Sequence, residues 1–119
     1  MKAKAILEQY QNHPDFLGIE LTHVNQKGAV DDTPLHIASR CGSEQDVLDL
    51  LDLGADIHSV GDLGYTSLHF ATLANRSPIV ALLLRKGANP SIPNEFGDTA
   101  KDTAERHGYT DIARMLKRV

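Results

Sequence analysis

The sequence has no tryptophan and a single cysteine, and only 5% of its 119 residues are aromatic. Each shortage closes off a class of function. A lone Cys41 forms no internal disulfide, which fits a reducing compartment and leads us to expect a cytoplasmic protein. Three Phe and three Tyr leave little to stack on bases, and a net charge of −4 opposes binding by phosphate neutralisation. No nucleic-acid partner is expected. The longest apolar run, Pro78 to Leu84, is seven residues, against the roughly 20 that cross a bilayer, so no membrane association is expected either. Near the start, Glu8, Gln9, Gln11 and Asn12 interrupt any apolar core of a signal peptide. Enzyme signatures are also missing: there is no Gly-x-Ser-x-Gly, phosphate loop, His-Glu-x-x-His or Gly-x-Gly-x-x-Gly. What remains is a chain of one-domain size, with 41% hydrophobic and 24% charged residues.

Repetition organises that chain. Thr33-Pro34-Leu35-His36-Ile37-Ala38 returns 33 residues later as Thr66-Ser67-Leu68-His69-Phe70-Ala71. Gly54-Ala55-Asp56-Ile57 returns at the same displacement as Gly87-Ala88-Asn89-Pro90, and a third copy starts at Thr99. Three registers at one spacing make a tandem array. Thr33, Thr66 and Thr99 read as helix N-caps, with Pro34 at N1, where a missing N–H costs nothing. Gly42, Asn75 and Gly108 read as left-handed C-caps of these short first helices. Second helices follow from caps at Ser43, Ser77 and Thr110, and present apolar faces through Val47, Leu50, Leu51 and Ile79, Val80, Leu83. Asp62-Leu63-Gly64 and Glu95-Phe96-Gly97 read as turns joining units.

These motifs resemble the ankyrin repeat over about Asn25 to Val119. The resemblance implies an all-α solenoid of stacked helix-turn-helix units with β-turn fingers along one edge. It divides a single domain, 1–119, into an N-terminal capping half-unit (1–32), repeats at 33–65 and 66–98, and a C-terminal capping repeat (99–119). The second repeat departs from the family at Ser67 and Asn75. In the third, Ala100, Lys101 and Asp102 replace Pro, Leu and His, and such polar residues suit an outer face that meets water. Within 1–32, Lys2 to Asn12 reads as one helix with Ile6, Leu7 and Tyr10 on one side, stopped by His13-Pro14-Asp15.

Little else points to chemistry. The resemblance gives His36 and His69 structural hydrogen bonds, and His13, His23, His58 and His107 form no metal-ligand spacing, so neither a metal nor a cofactor is expected. Cys41 beside Arg40 reads as a surface or half-buried residue rather than a reactive thiol. Asp46, Asp49, Asp52 and Asp56 read as a solvated acidic helix face. Charge is nonetheless uneven: residues 33–65 carry six acids and one base, whereas 99–119 carry five bases and three acids.

The remaining question is which side chains the array leaves free. Val30, Leu63 and Phe96 occupy one turn position in three successive units. They either pack on each other or form an apolar interaction strip. In the second case Tyr65 and Leu73 extend the strip, and Asp32, Asp62, Asp98, Arg40, Arg106 and His107 surround it on the concave side. The expected function is a non-enzymatic module, monomeric when free, that binds another protein. An inhibitor or immunity protein for a toxin or effector enzyme is the leading form. A scaffold or adaptor subunit is the alternative, and a metal- or thiol-dependent enzyme comes last.

Overall fold

The computed structural model describes residues 2–117. Met1, Val119 and Arg118, one of the five bases counted above, lie outside them. The described residues form seven α-helices and no strand. They are α1 (Lys2–Gln11), α2 (Pro34–Cys41), α3 (Glu44–Asp52), α4 (Ser67–Leu73), α5 (Ser77–Arg85), α6 (Ala100–His107) and α7 (Thr110–Lys117). Helices α2, α4 and α6 pack side by side as one layer, and α1, α3, α5 and α7 as a second. The body measures 37 × 26 × 18 Å.

Each first helix begins on the same device. Thr33, Thr66 and Thr99 accept the N–H of the residue three positions on, and that residue's side chain accepts the threonine N–H in return. His36 Nδ1 does this at 3.0 Å, His69 Nδ1 at 3.1 Å and Asp102 Oδ2 at 3.0 Å. Two orphan donors are thereby satisfied at every start. The third unit, which departs most from the repeat in sequence, keeps the function with a different side chain. With Nδ1 accepting, the histidines hold their proton on Nε2 and donate it to the carbonyls of Ser59 (2.8 Å) and Asp98 (3.0 Å). Burial pushes both rings below the usual imidazole pKa.

The second helices supply most of the core between the layers. Val47, Leu50, Ile79, Val80, Leu83 and Ile112 are almost wholly buried, and Leu35, Ile37 and Leu68 meet them from the first helices. Gly54 (φ 94°) and Gly87 (φ 93°) follow α3 and α5 in the left-handed region that favours glycine. The next loops are tied to their neighbours by side chains in equivalent places. Asn25 accepts the Asp56 N–H at 2.8 Å and donates to the Gly54 carbonyl at 3.1 Å. In register, His58 Nε2 stands 3.2 Å from both the Asn89 N–H and the Gly87 carbonyl, and satisfies one or the other according to its tautomer.

Three local expectations are corrected. Gly42 is extended (φ −89°), not left-handed. A side chain there would meet the Ala38 backbone of α2, with Cα at 2.8 Å, and collide with the Tyr10 hydroxyl of α1, so close packing on both sides explains the glycine. The cap of α5 is Arg76, which makes no side-chain cap bond; Ser77 already lies inside that helix, as Thr110 lies inside α7. Asp46 is half-buried rather than freely solvated: it accepts the Tyr10 hydroxyl and the Gln9 amide, each at 2.8 Å. This pair hooks α1 onto α3, and burial together with the Asp46 carboxylate pushes the Tyr10 phenol pKa upward.

Candidate partner-binding surface

Counting each turn finger with the helices it leads into, the surface is built where a finger meets the later part of the first helix of that unit. Asp32, Tyr65 and Asp98 share one register position in the fingers, and Arg40, Leu73 and Arg106 share one in the helices. In the first and third units the pairing is ionic. Arg40 Nη1 lies 3.6 Å from Asp32 Oδ2, and Arg106 grips Asp98 with two bonds of 2.7 and 3.1 Å. Those bonds hold the Asp98 carboxyl below the usual carboxylate range. The middle unit has Tyr65 and Leu73 instead, both half-buried. An apolar centre therefore lies between two arginines.

Phe70, which the turn and late-helix positions do not include, anchors that centre. It occupies the place of Ile37 in the preceding unit and is 6% exposed. Tyr65 meets its ring edge-on at 5.4 Å between centroids, and the Arg40 guanidinium lies over it at 5.4 Å. That distance is within cation–π range. Nearby, His36 meets Phe70 at a tilt of 54° and His69 stacks on Tyr65. The signal was available in the motif: Thr66-Ser67-Leu68-His69-Phe70-Ala71 puts an aromatic where its sister has a branched aliphatic.

Asp32 is the main correction. It was expected at the charged rim, yet it is 1% exposed. Its Oδ1 accepts the Asp62 N–H at 3.0 Å and lies 3.9 Å from His36 Nδ1. A side chain at Gly61 would run into this carboxylate. Asp32 therefore joins two fingers. The next junction lacks such a side chain, because Tyr65 stands in register with Asp32. There the Glu95 N–H, equivalent to that of Asp62, bonds to the Leu63 carbonyl at 3.0 Å. Leu63 takes the left-handed conformation (φ 58°, ψ 20°), uncommon for a bulky residue. Lys27 adds a tie from its Nζ to the Val60 carbonyl at 2.9 Å.

The other expected residues lie at the surface or partly so. Val30, Leu63 and Phe96 are 45%, 41% and 67% exposed. Asp62, Arg106 and His107 are exposed, and His107 stacks on Tyr109 at 5.4 Å. Asp98 is half-buried. Cys41 is exposed, with Sγ 3.3 Å from the Ile37 carbonyl. Among the described residues no three of His, Cys, Asp or Glu are grouped to hold a metal ion, and no helix is long and apolar enough to cross a membrane.

The family of ankyrin repeats, in three copies, matches residues 35–118. An ankyrin repeat protein of Rickettsia bellii (strain RML369-C) is 31% identical over 86 residues, 71% of this chain and 48% of that protein. Neurogenic locus notch homolog protein 1 is 37% identical over 67 residues in both Homo sapiens and Mus musculus, 56% of this chain and 3% of theirs. The chain thus spans about half the length of the first relative and a small part of the others.

Proposed function

The chain belongs to the ankyrin-repeat family, and on that premise we propose that it binds one partner protein across its fingers and the adjoining concave face. Ankyrin repeats are protein–protein interaction modules. One observation supports the choice of surface: three finger tips stay open beside a Tyr65–Leu73 centre flanked by Arg40 and Arg106. A desolvatable apolar centre with a charged rim concentrates binding energy. The fingers are cross-bonded before any partner arrives, so binding loses little ordering entropy.

A rigid, non-enzymatic array would act on its partner by occupying it. The form we favour is a cytoplasmic, monomeric inhibitor or immunity protein that covers a toxin or effector enzyme. An adaptor role is the second reading, supported by relatives in which the matched stretch is 3% of a much longer protein. The test is affinity capture from the native cells with mass spectrometry, using the wild-type chain and a Leu63→Asp, Phe96→Asp double variant. The variant keeps its helical circular dichroism and melting curve and loses the partner. Retention of the same partner at unchanged yield would reject this surface.

A further inference from the structure

Resting on the protein-binding reading, we infer that the finger edge takes a basic, apolar polypeptide segment. The geometry starts with the three tips, Val30, Leu63 and Phe96. Each has a carboxylate directly beside it in sequence: Asp31, Asp62 and Glu95, all exposed. Among the described residues none of these three carboxylates makes an ion pair. The arginines of this region are spent elsewhere, Arg40 against Asp32 and Arg106 against Asp98, and Lys27 points its ammonium at the Val60 carbonyl. Apolar tips and unneutralised negative charge therefore run together along one edge.

The edge is also held in place. Finger one is joined to finger two by Asp32 and Lys27, and finger two to finger three by the Leu63 carbonyl. At Gly64 a side chain would come within 2.9 Å of the Glu95 nitrogen and 3.1 Å of its Cγ, so the last two fingers touch at backbone level. Fixed carboxylates on a fixed apolar strip repel anionic lipid and nucleic acid. They attract a protein segment that combines Leu-, Val- or Phe-like side chains with Lys or Arg. The charges speed encounter and set register, and the apolar tips supply the contact that excludes water.

Short mixed peptides of leucine and lysine, matched leucine–glutamate peptides and serine–lysine peptides are titrated into the isotope-labelled chain and followed by NMR. The leucine–lysine peptide is expected to shift the amides of residues 30–31, 62–63 and 95–96, and to bind about tenfold more tightly than either control. An Asp31→Asn, Asp62→Asn, Glu95→Gln variant weakens that peptide by a similar factor and flattens its salt dependence. Equal or tighter binding of the glutamate peptide, shifts confined to the helix face around Leu73 and Arg106, or no binding of the lysine peptide would each overturn the inference. The first two results leave the protein-binding reading standing. That reading is judged separately, by capture with the Leu63→Asp, Phe96→Asp variant.

Discussion

Fingers one and two are joined by a side chain, fingers two and three by the main chain, yet both junctions hold the same N–H in the same register. Asp32 supplies a buried carboxylate to the Asp62 N–H. Where Tyr65 replaces that aspartate, Leu63 turns left-handed and offers its carbonyl to the Glu95 N–H. The repeat preserves a hydrogen-bonded position rather than a residue. Losing the aspartate costs a strained leucine, and it frees the middle unit to carry an aromatic where its neighbours carry an ion pair.

Four experiments bear on that difference. Asp32→Ala has the largest expected effect, about 2 to 3 kcal/mol of stability in urea unfolding, because it strands the Asp62 N–H and leaves a void. Asp98→Ala, at a half-buried aspartate paired with an exposed arginine, lowers the midpoint much less; an equal loss for both would erase the distinction between them. Gly64→Ala comes next, at about 2 kcal/mol, since left-handed strain adds to the collision with Glu95. Gly97 shares the left-handed backbone (φ 82°) but has open space around it, so Gly97→Ala costs only about 1 kcal/mol.

Ser67→Pro should stabilise. Pro34 fills this N1 site in the first unit, whereas the buried Ser67 hydroxyl has no partner. A gain of about 0.5 to 1 kcal/mol is expected by thermal or urea unfolding. Acid gives the gentlest separation. His36 and His69 have lowered pKa values in the fold, so the unfolded chain binds more protons below about pH 6.5. Their stabilising contribution is whole above that pH and falls as the pH drops towards the folded values. Helix α6 has Asp102 in the same place. Hydrogen exchange taken from pH 7 to 5 should therefore show α2 and α4 losing protection ahead of α6; uniform loss would contradict the assignment.

The sequence made the repeat legible because its signals are local. Thr33, Thr66 and Thr99 cap helices whatever surrounds them, and Gly54 and Gly87 mark the ends of the second helices in both full units. What escaped depended on partners distant in sequence. Gly42 caps α2 as its place in the repeat suggests, but with extended backbone, because Tyr10 and Ala38 leave no room for a side chain. Asp46 looked solvated until α1 docked on it. Asp32 looked like a rim charge because nothing near it in the chain shows that the next finger delivers an N–H to its carboxylate. The exposure of Val30, Leu63 and Phe96, by contrast, accords with their position at turns.

The ties between loops have a mechanical consequence. Asn25 reaches Asp56 across 31 positions, His58 reaches Asn89 across the same interval, and Lys27 reaches Val60 across 33. Each clasp spans about one period of the array. Tension applied at the two ends therefore opens these clasps one after another, with each rupture exposing little beyond the unit it closes. A unit of 33 residues pays out roughly 110 Å of extended chain. Under load the two full units are therefore expected to lengthen the molecule in steps of similar size.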